Sequence, residues 1–96
     1  MPELFRLVQT KVLVENDRVK VIEVKISPGE KLGMHTHGAY VAYTINPARV
    51  RFTFPDGTSR EAELQKGHAA YSEGVTHAIE NIGSTEVLNV DVELKK

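Results

Sequence analysis

Apolar and polar residues alternate along most of this chain, and turns interrupt the alternation at short intervals. Val19 to Ile26, Arg49 to Phe54 and Val87 to Leu94 are rich in β-branched residues and follow a period of about two, which is typical of β-strands. We predict three further strands, at Tyr40 to Ile45, Thr58 to Leu64 and His77 to Ile82. No apolar period of 3.6 residues continues long enough to predict a helix.

Turn signals separate these segments. Ser27-Pro28-Gly29 ends the first strand, and Pro55-Asp56-Gly57 predicts a tight hairpin turn. The segment Pro2 to Val14 is ambiguous, and we interpret it as a strand or an extended arm. Many short strands at close spacing predict an all-β fold, and a chain this short favours a compact barrel of two facing sheets.

Composition narrows the class of protein further. With 96 residues, the chain is expected to form one domain, in which 1–14 is the N-terminal strand or arm and 19–94 the barrel. Lys plus Arg number 12 and Asp plus Glu 13, so the near-zero net charge argues against nucleic-acid or membrane partners. The early charges at Glu3 and Arg6 are unlike a signal peptide, and we expect a cytoplasmic protein.

Two of the four histidines lie in the triplet His35-Thr36-His37, and the chain has no cysteine. Residues two apart on a strand point to the same face, so both imidazoles can contact one metal ion. His77, which opens a later predicted strand, is the third candidate ligand. We expect it to come from the sheet opposite the triplet, so that three nitrogens converge and leave coordination positions open. His68 is interpreted as a surface residue.

The spacing around these histidines resembles the two sequence motifs of the cupin superfamily. Gly29, five residues and the triplet are similar to the opening of the first motif, G-x5-H-x-H. Gly74, His77 and Asn81 match the end of the second motif, G-x5-P-x-G-x2-H-x3-N. Ser72 stands in place of the proline of that motif, and it is separated from Gly67 by four residues where the motif has five.

The resemblance covers about Val19 to Leu94 and implies a double-stranded β-helix, the jelly-roll-like cupin barrel. It also implies a divalent transition metal held by His35, His37 and His77. Iron is the metal we expect, with zinc, nickel, copper and manganese as alternatives. Asn81 is interpreted as a structural turn residue, as the asparagine of the second motif often is.

The first motif departs from the family at its glutamate, which falls on Val41 or Ala42, and at its last glycine, which falls on Ala48. Three neutral ligands keep the full positive charge of the metal, which favours an anionic or chelating substrate. Three-histidine sites occur in the superfamily among thiol and β-diketone dioxygenases. A metal enzyme therefore remains compatible with the chain, whereas reactions that need a carboxylate base are disfavoured.

The chain also resembles small bacterial single-domain cupins, in segments such as 15–19, 52–58 and 77–81. Some of these are described as β-alanine degradation proteins, a description that names a pathway and no reaction. Tyr43 is our candidate catalytic residue, because a phenol near a metal can orient substrate or donate a proton. We expect Val41, Tyr43 and Ile45 to face the pocket.

Two functions from different classes follow. The first is a metal-dependent enzyme, with an iron-dependent dioxygenase acting on a small anionic or chelating molecule as the leading hypothesis. The second is a non-catalytic metal-binding or small-molecule-binding module. A zinc-dependent hydrolase or lyase is a third hypothesis.

We also expect a homodimer. A barrel this small exposes strand edges, and such edges are usually covered. The segment Pro2 to Val14 is apolar enough to pair with a second copy of the chain.

Overall fold

A computed structural model describes residues 8–95, and within that range the chain is built of β-strands and turns. The nine strands of the described residues are β1 (Val8–Glu15), β2 (Val19–Ile26), β3 (Lys31–His37), β4 (Tyr40–Asn46), β5 (Ala48–Thr53), β6 (Ser59–Leu64), β7 (Ala69–Ser72), β8 (Val75–Asn81) and β9 (Val87–Leu94). The all-β prediction is confirmed. None of residues 8–95 belongs to a helix of the length and apolarity needed to span a membrane.

The strands form two antiparallel sheets that face each other. The five-stranded sheet has the order β1-β2-β9-β4-β7, and the four-stranded sheet has the order β3-β8-β5-β6. The chain crosses repeatedly from one sheet to the other, so strands distant in sequence become neighbours. This crossing places β4 beside β9 and β3 beside β8, and both pairs matter for the site.

The predicted strands agree with the observed ones in position. β2 and β9 have the predicted bounds, and the other predicted strands differ by one or two residues at an end. β3 and β7 were not predicted as separate strands. The predicted N-terminal strand or arm is in part β1, which pairs with β2 and carries a register shift between Val12 and Val14; residues 2–7 of it lie outside the described range.

Apolar side chains fill one end of the space between the sheets. The fully buried apolar residues are Ile26 of β2, Val50 of β5 and Val87 of β9. The core consists of Val24, Ile26, Ala48, Val50, Ile79 and Val87. Phe52 packs against this core, and together with Phe54 it faces the interior, as the alternation in β5 predicts.

The orientation of β4 differs from the prediction. Tyr40, Ala42 and Thr44 line the interior, so Val41, Tyr43 and Ile45 lie on the outer face. Tyr43 is 44% exposed and Ile45 is 38% exposed. The prediction is wrong because the outer residues of β4 and of its neighbour β9 are themselves apolar, so hydrophobicity did not identify the inner face.

Candidate metal centre

The three histidines meet on one sheet. β3 pairs with β8 in a register that sets His35 directly opposite His77, and His37 is two residues further along β3 on the same face. The expectation that His77 comes from the opposite sheet is therefore wrong. Neighbouring strands lie about 5 Å apart, so adjacent imidazoles on one face are already close.

The imidazole rings form a compact triangle. Ring centroids are 4.7 Å apart for His35 and His37, 4.8 Å for His35 and His77, and 5.5 Å for His37 and His77. One nitrogen from each ring lies within 4.8 Å of the others, so the group could hold a metal ion. Metal–imidazole bonds are about 2.0–2.1 Å long, so nitrogens bound to one ion lie at most about 4 Å apart, close to the separations found here.

Hydrogen bonds orient two of the rings. His35 Nδ1 lies 2.6 Å from the carbonyl oxygen of Gly33, and His37 Nδ1 lies 2.8 Å from Oε2 of Glu93. Each acceptor holds the proton on Nδ1, which leaves Nε2 as the lone-pair donor for a metal. A carboxylate that accepts from Nδ1 also makes the imidazole more basic and strengthens it as a ligand.

His77 is the most buried of the three rings, with 6% of its surface exposed. It stacks on Phe52 with ring centroids 5.1 Å apart. Burial, with smaller effects from His35 and His37, lowers the pKa of His77 to about 4. The ring is therefore neutral at neutral pH, which is the form that binds metal.

Backbone conformation and close contacts explain why glycine occurs at two motif positions. Gly74 has φ of 142°, and a Cβ there would lie 3.2 Å from the carbonyl oxygen of His37. Gly29 has φ of 85°, and its N–H donates to the carbonyl oxygen of Asn81. The glycines thus permit the tight turns that bring β3 and β8 together.

Asn81 has no exposed surface and bonds at both ends of its amide. Its Nδ2 donates to the carbonyl oxygens of Ile26 (2.9 Å) and Thr85 (2.7 Å), and its Oδ1 accepts from the N–H of Gly83 (3.0 Å). The contacts support the interpretation of Asn81 as a structural residue.

The rings open into a cavity of about 830 Å³ between the two sheets. One wall carries the histidines with Phe52 and Ile79, and the other carries the inner residues of β2, β4 and β9. The inner residues of β9 are polar at three of four positions. In chain order they are Val87, Asn89, Asp91 and Glu93.

Acidic and phenolic groups missed in the sequence stand beside the rings. Burial raises the pKa of Asp91 to about 6, with the charge of Glu93 acting in the same direction and that of His37 against it. Tyr40 stacks on His37 with centroids 4.3 Å apart. Burial and the charges of Asp91 and Glu93 raise the pKa of Tyr40, so its hydroxyl stays a proton donor.

The alternation of polar and apolar residues in β9 is visible in the sequence, but it does not identify the inner face. Asn89, Asp91 and Glu93 alternate with Leu88, Val90, Val92 and Leu94, and the alternation defines two faces without saying which is inside. Tyr43, the candidate catalytic residue, lies on the outer face of β4 and is absent from the cavity lining. Tyr40 is the β4 tyrosine that contacts the candidate centre.

Charged and polar residues also belong to the cavity lining. Lys20 and Arg60 belong to its lining, and the Arg60 guanidinium lies 5.7 Å from the centroid of the Phe52 ring. His68 is exposed, as predicted, and also belongs to the lining, but it is not part of the three-histidine group. Arg49 and Arg51 pair with glutamates on the solvent side of the four-stranded sheet, as expected of solvated strand faces.

Comparison with known proteins identifies the family. No family model matches the chain. The β-alanine degradation protein BauB of Pseudomonas aeruginosa is 35% identical over 86 residues, which cover 88% of this chain and 90% of that protein. A cupin domain from Bordetella pertussis is 32% identical with a TM-score of 0.85, covering 93% of this chain and 94% of that one.

More distant structures share the fold. An RmlC-like cupin with a double-stranded β-helix from Methanocaldococcus jannaschii has a TM-score of 0.74 at 16% identity, over 99% of this chain and 86% of that one. The paired sheets, the motif glycines and the three-histidine group agree with these matches. This chain belongs to the cupin superfamily and is a relative of the Pseudomonas BauB protein.

Proposed function

We propose that this cupin binds one divalent transition metal through His35, His37 and His77, with iron as the metal, and acts as a dioxygenase. Its substrate would be a small anionic or chelating molecule. The observation that carries the proposal is the convergence of three imidazole nitrogens within 4.8 Å at the wall of a large cavity.

The donor set fits such a metal. Three neutral imidazoles suit iron, zinc, copper and nickel, and they leave positions open for other ligands. When bound, the metal would supply a Lewis acid and a redox centre. Glu93 holds His37 in place, Gly33 holds His35, and Phe52 packs along His77, so the rings are arranged before metal binds.

The residues around the centre can move protons and exclude water. Tyr40 offers a phenol next to His37, and its raised pKa keeps the hydroxyl a proton donor. Phe52 and Ile79 make the nearby wall apolar. Tyr40 takes the role first assigned to the outward-facing Tyr43, and its position favours the enzyme over the non-catalytic module.

The description of the Pseudomonas relative bears on the substrate. That protein is named for β-alanine degradation, and by analogy we propose a small amino acid or a product of its breakdown as the substrate here. The chain would act in the cytoplasm as a single domain.

We extend the proposal to a homodimer. Val41, Tyr43 and Ile45 of β4 lie next to the outer residues of β9, and together they form an uncharged surface that we call the apolar outer face. The β9 members are Leu88, Val90, Val92 and Leu94. Exposed apolar surfaces of this kind mark interfaces, and an uncharged patch is self-complementary, which suits a two-fold contact with a second copy.

Elemental analysis tests the metal site. Protein loaded anaerobically with Fe(II) and then desalted should hold close to one metal per chain, and His35→Ala and His77→Ala should lose it. His68→Ala is the matched control, because it removes an exposed histidine of the cavity lining that is outside the group, and it should keep the metal.

Oxygen uptake then separates the two functions. Substrate-dependent uptake by the iron-loaded protein, measured against a panel of small amino acids, thiols and β-diketones, would support the dioxygenase. Stoichiometric metal without uptake for any of them would support the binding module. Wild-type protein that takes up no metal would overturn the proposal.

A further inference from the structure

Two buried polar side chains on β9 face the cavity beyond the histidines. Asn89 is 9% exposed and Asp91 is 8% exposed, and both belong to the cavity lining. Asn89 Oδ1 is fully buried and has no hydrogen-bond partner among the described residues. Burial raises the pKa of the Asp91 carboxyl group to about 6, and no hydrogen bond offsets that effect.

The neighbours of these two residues supply no cation. In the sheet register, Asp91 lies between Ile22 of β2 and Ala42 of β4, and Asn89 lies between Val24 and Thr44. All four neighbours also line the cavity, and none of them carries a charge. Lys20, the cation on the same face of β2, lies opposite Glu93 and not opposite Asp91. A buried amide oxygen without a hydrogen bond and a buried carboxylate without a cation each cost free energy, in general several kcal/mol, unless something else pairs with them.

We propose that Asp91 and Asn89 form a subsite for a primary ammonium group, so that the cavity takes a short linear amino acid. This inference rests on the proposed function, since the carboxylate of the ligand would lie at the metal centre. An ammonium group offers three N–H donors and a positive charge, which match a carboxylate beside an amide oxygen. Ala42, a small side chain next to Asp91, leaves room for the group.

The spacing along β9 sets the length of the ligand. Glu93 contacts His37, and Asp91 is two residues away on the same face, roughly 7 Å along the strand. Asn89 lies one further step towards the apolar core that closes the cavity at Val87. The carboxylate and the ammonium group should therefore be separated by a short unbranched chain.

Calorimetry on the metal-loaded protein under anaerobic conditions tests the subsite with three matched probes: γ-aminobutyrate, γ-hydroxybutyrate and butyrate. We expect γ-aminobutyrate to bind at least about tenfold more tightly than either other probe, because charged hydrogen bonds are worth more than neutral ones. Asp91→Asn should abolish this preference while leaving butyrate affinity and metal content unchanged. Glu63→Gln, which removes an exposed carboxylate that pairs with Arg49 on the solvent side of the four-stranded sheet, should keep the preference.

Failure of the subsite differs from failure of the metal site. Equal wild-type affinity for all three probes, or for the amino and hydroxy compounds alone, would overturn the ammonium assignment. This comparison uses only the wild-type protein. Protein that holds no metal is titrated instead with butylammonium. Binding that Asp91→Asn weakens would then support the subsite on its own, and absence of binding would overturn it.

Discussion

Glu93, on the last strand, accepts a hydrogen bond of 2.8 Å from Nδ1 of His37, 56 residues earlier in the chain. The contact exists because β4 pairs with β9, which sets Glu93 beside Tyr40, three residues after His37. The first cupin motif of this chain lacks its glutamate, and a carboxylate from another strand supports the histidine instead. Glu93 acts through His37, so it is a positioning residue.

Replacing Glu93 with alanine should weaken metal binding by about 10–100-fold, because loss of a carboxylate that orients a ligating histidine typically costs that much. Glu93→Gln keeps an acceptor and should cost less. Competition with a metal-sensitive dye measures the affinity. Glu63→Ala is the control, and a Glu93→Ala affinity equal to that of the control would contradict the role.

Replacing Asn81 with alanine should destabilise the protein by about 2–4 kcal/mol, because it removes three hydrogen bonds and leaves buried backbone groups without partners. Urea unfolding of the metal-free protein measures the effect. Asn46→Ala removes a single side-chain bond, to the carbonyl oxygen of Glu86, and should cost about 1 kcal/mol or less. Similar losses for the two variants would count against the anchoring role of Asn81.

The stability of the metal-free protein should depend on pH through His77 and Asp91 in opposite directions. The pKa of His77 falls from 6.5 to about 4 on folding, so the unfolded chain binds more protons in that window and stability decreases as pH falls through it. The pKa of Asp91 rises from 3.8 to about 6, so its contribution increases as pH falls through that window.

Asp91→Asn removes the stabilisation that Asp91 gains on acidification, so stability should fall more steeply with decreasing pH than in the wild type. His77→Gln removes the destabilisation that comes from protonating His77, so the loss should be shallower. Urea midpoints in the presence of a chelator, compared between about pH 6.5 and about pH 4, measure both. A steeper acid loss in His77→Gln than in the wild type would contradict the assignment.

Placing a charge on the apolar outer face should separate the dimer. Val92→Lys puts an ammonium group on that face between two apolar neighbours, Val41 of β4 and Val21 of β2. Light scattering should give twice the 10.7 kDa mass of the chain for the wild type and the mass of one chain for the variant. Ser59→Lys, on exposed β6, is the control and should stay dimeric. A wild-type monomer at micromolar concentration would refute the homodimer.

Much of the fold followed from local pattern. Period-two alternation and the turns at Pro28-Gly29 and Asp56-Gly57 placed six strands within one or two residues, because side-chain alternation is a property of each strand by itself. β3 and β7 were missed, since β3 carries Gly33 and the polar triplet, and β7 is a four-residue strand. Neither segment has the apolar alternation that marks a strand.

The candidate site, like the fold, could be predicted only in part. The sequence by itself determined that His35 and His37 share a face and that His77 follows a glycine turn, since these depend on the strand period and on motif spacing. Only the tertiary structure decided that His77 lies opposite His35 on the same sheet, and that Asn89, Asp91 and Glu93 face inward while Tyr43 faces outward. Alternation defines two faces of a strand, but the packing of the two sheets selects the inner one, and in β4 and β9 the outer face is also apolar.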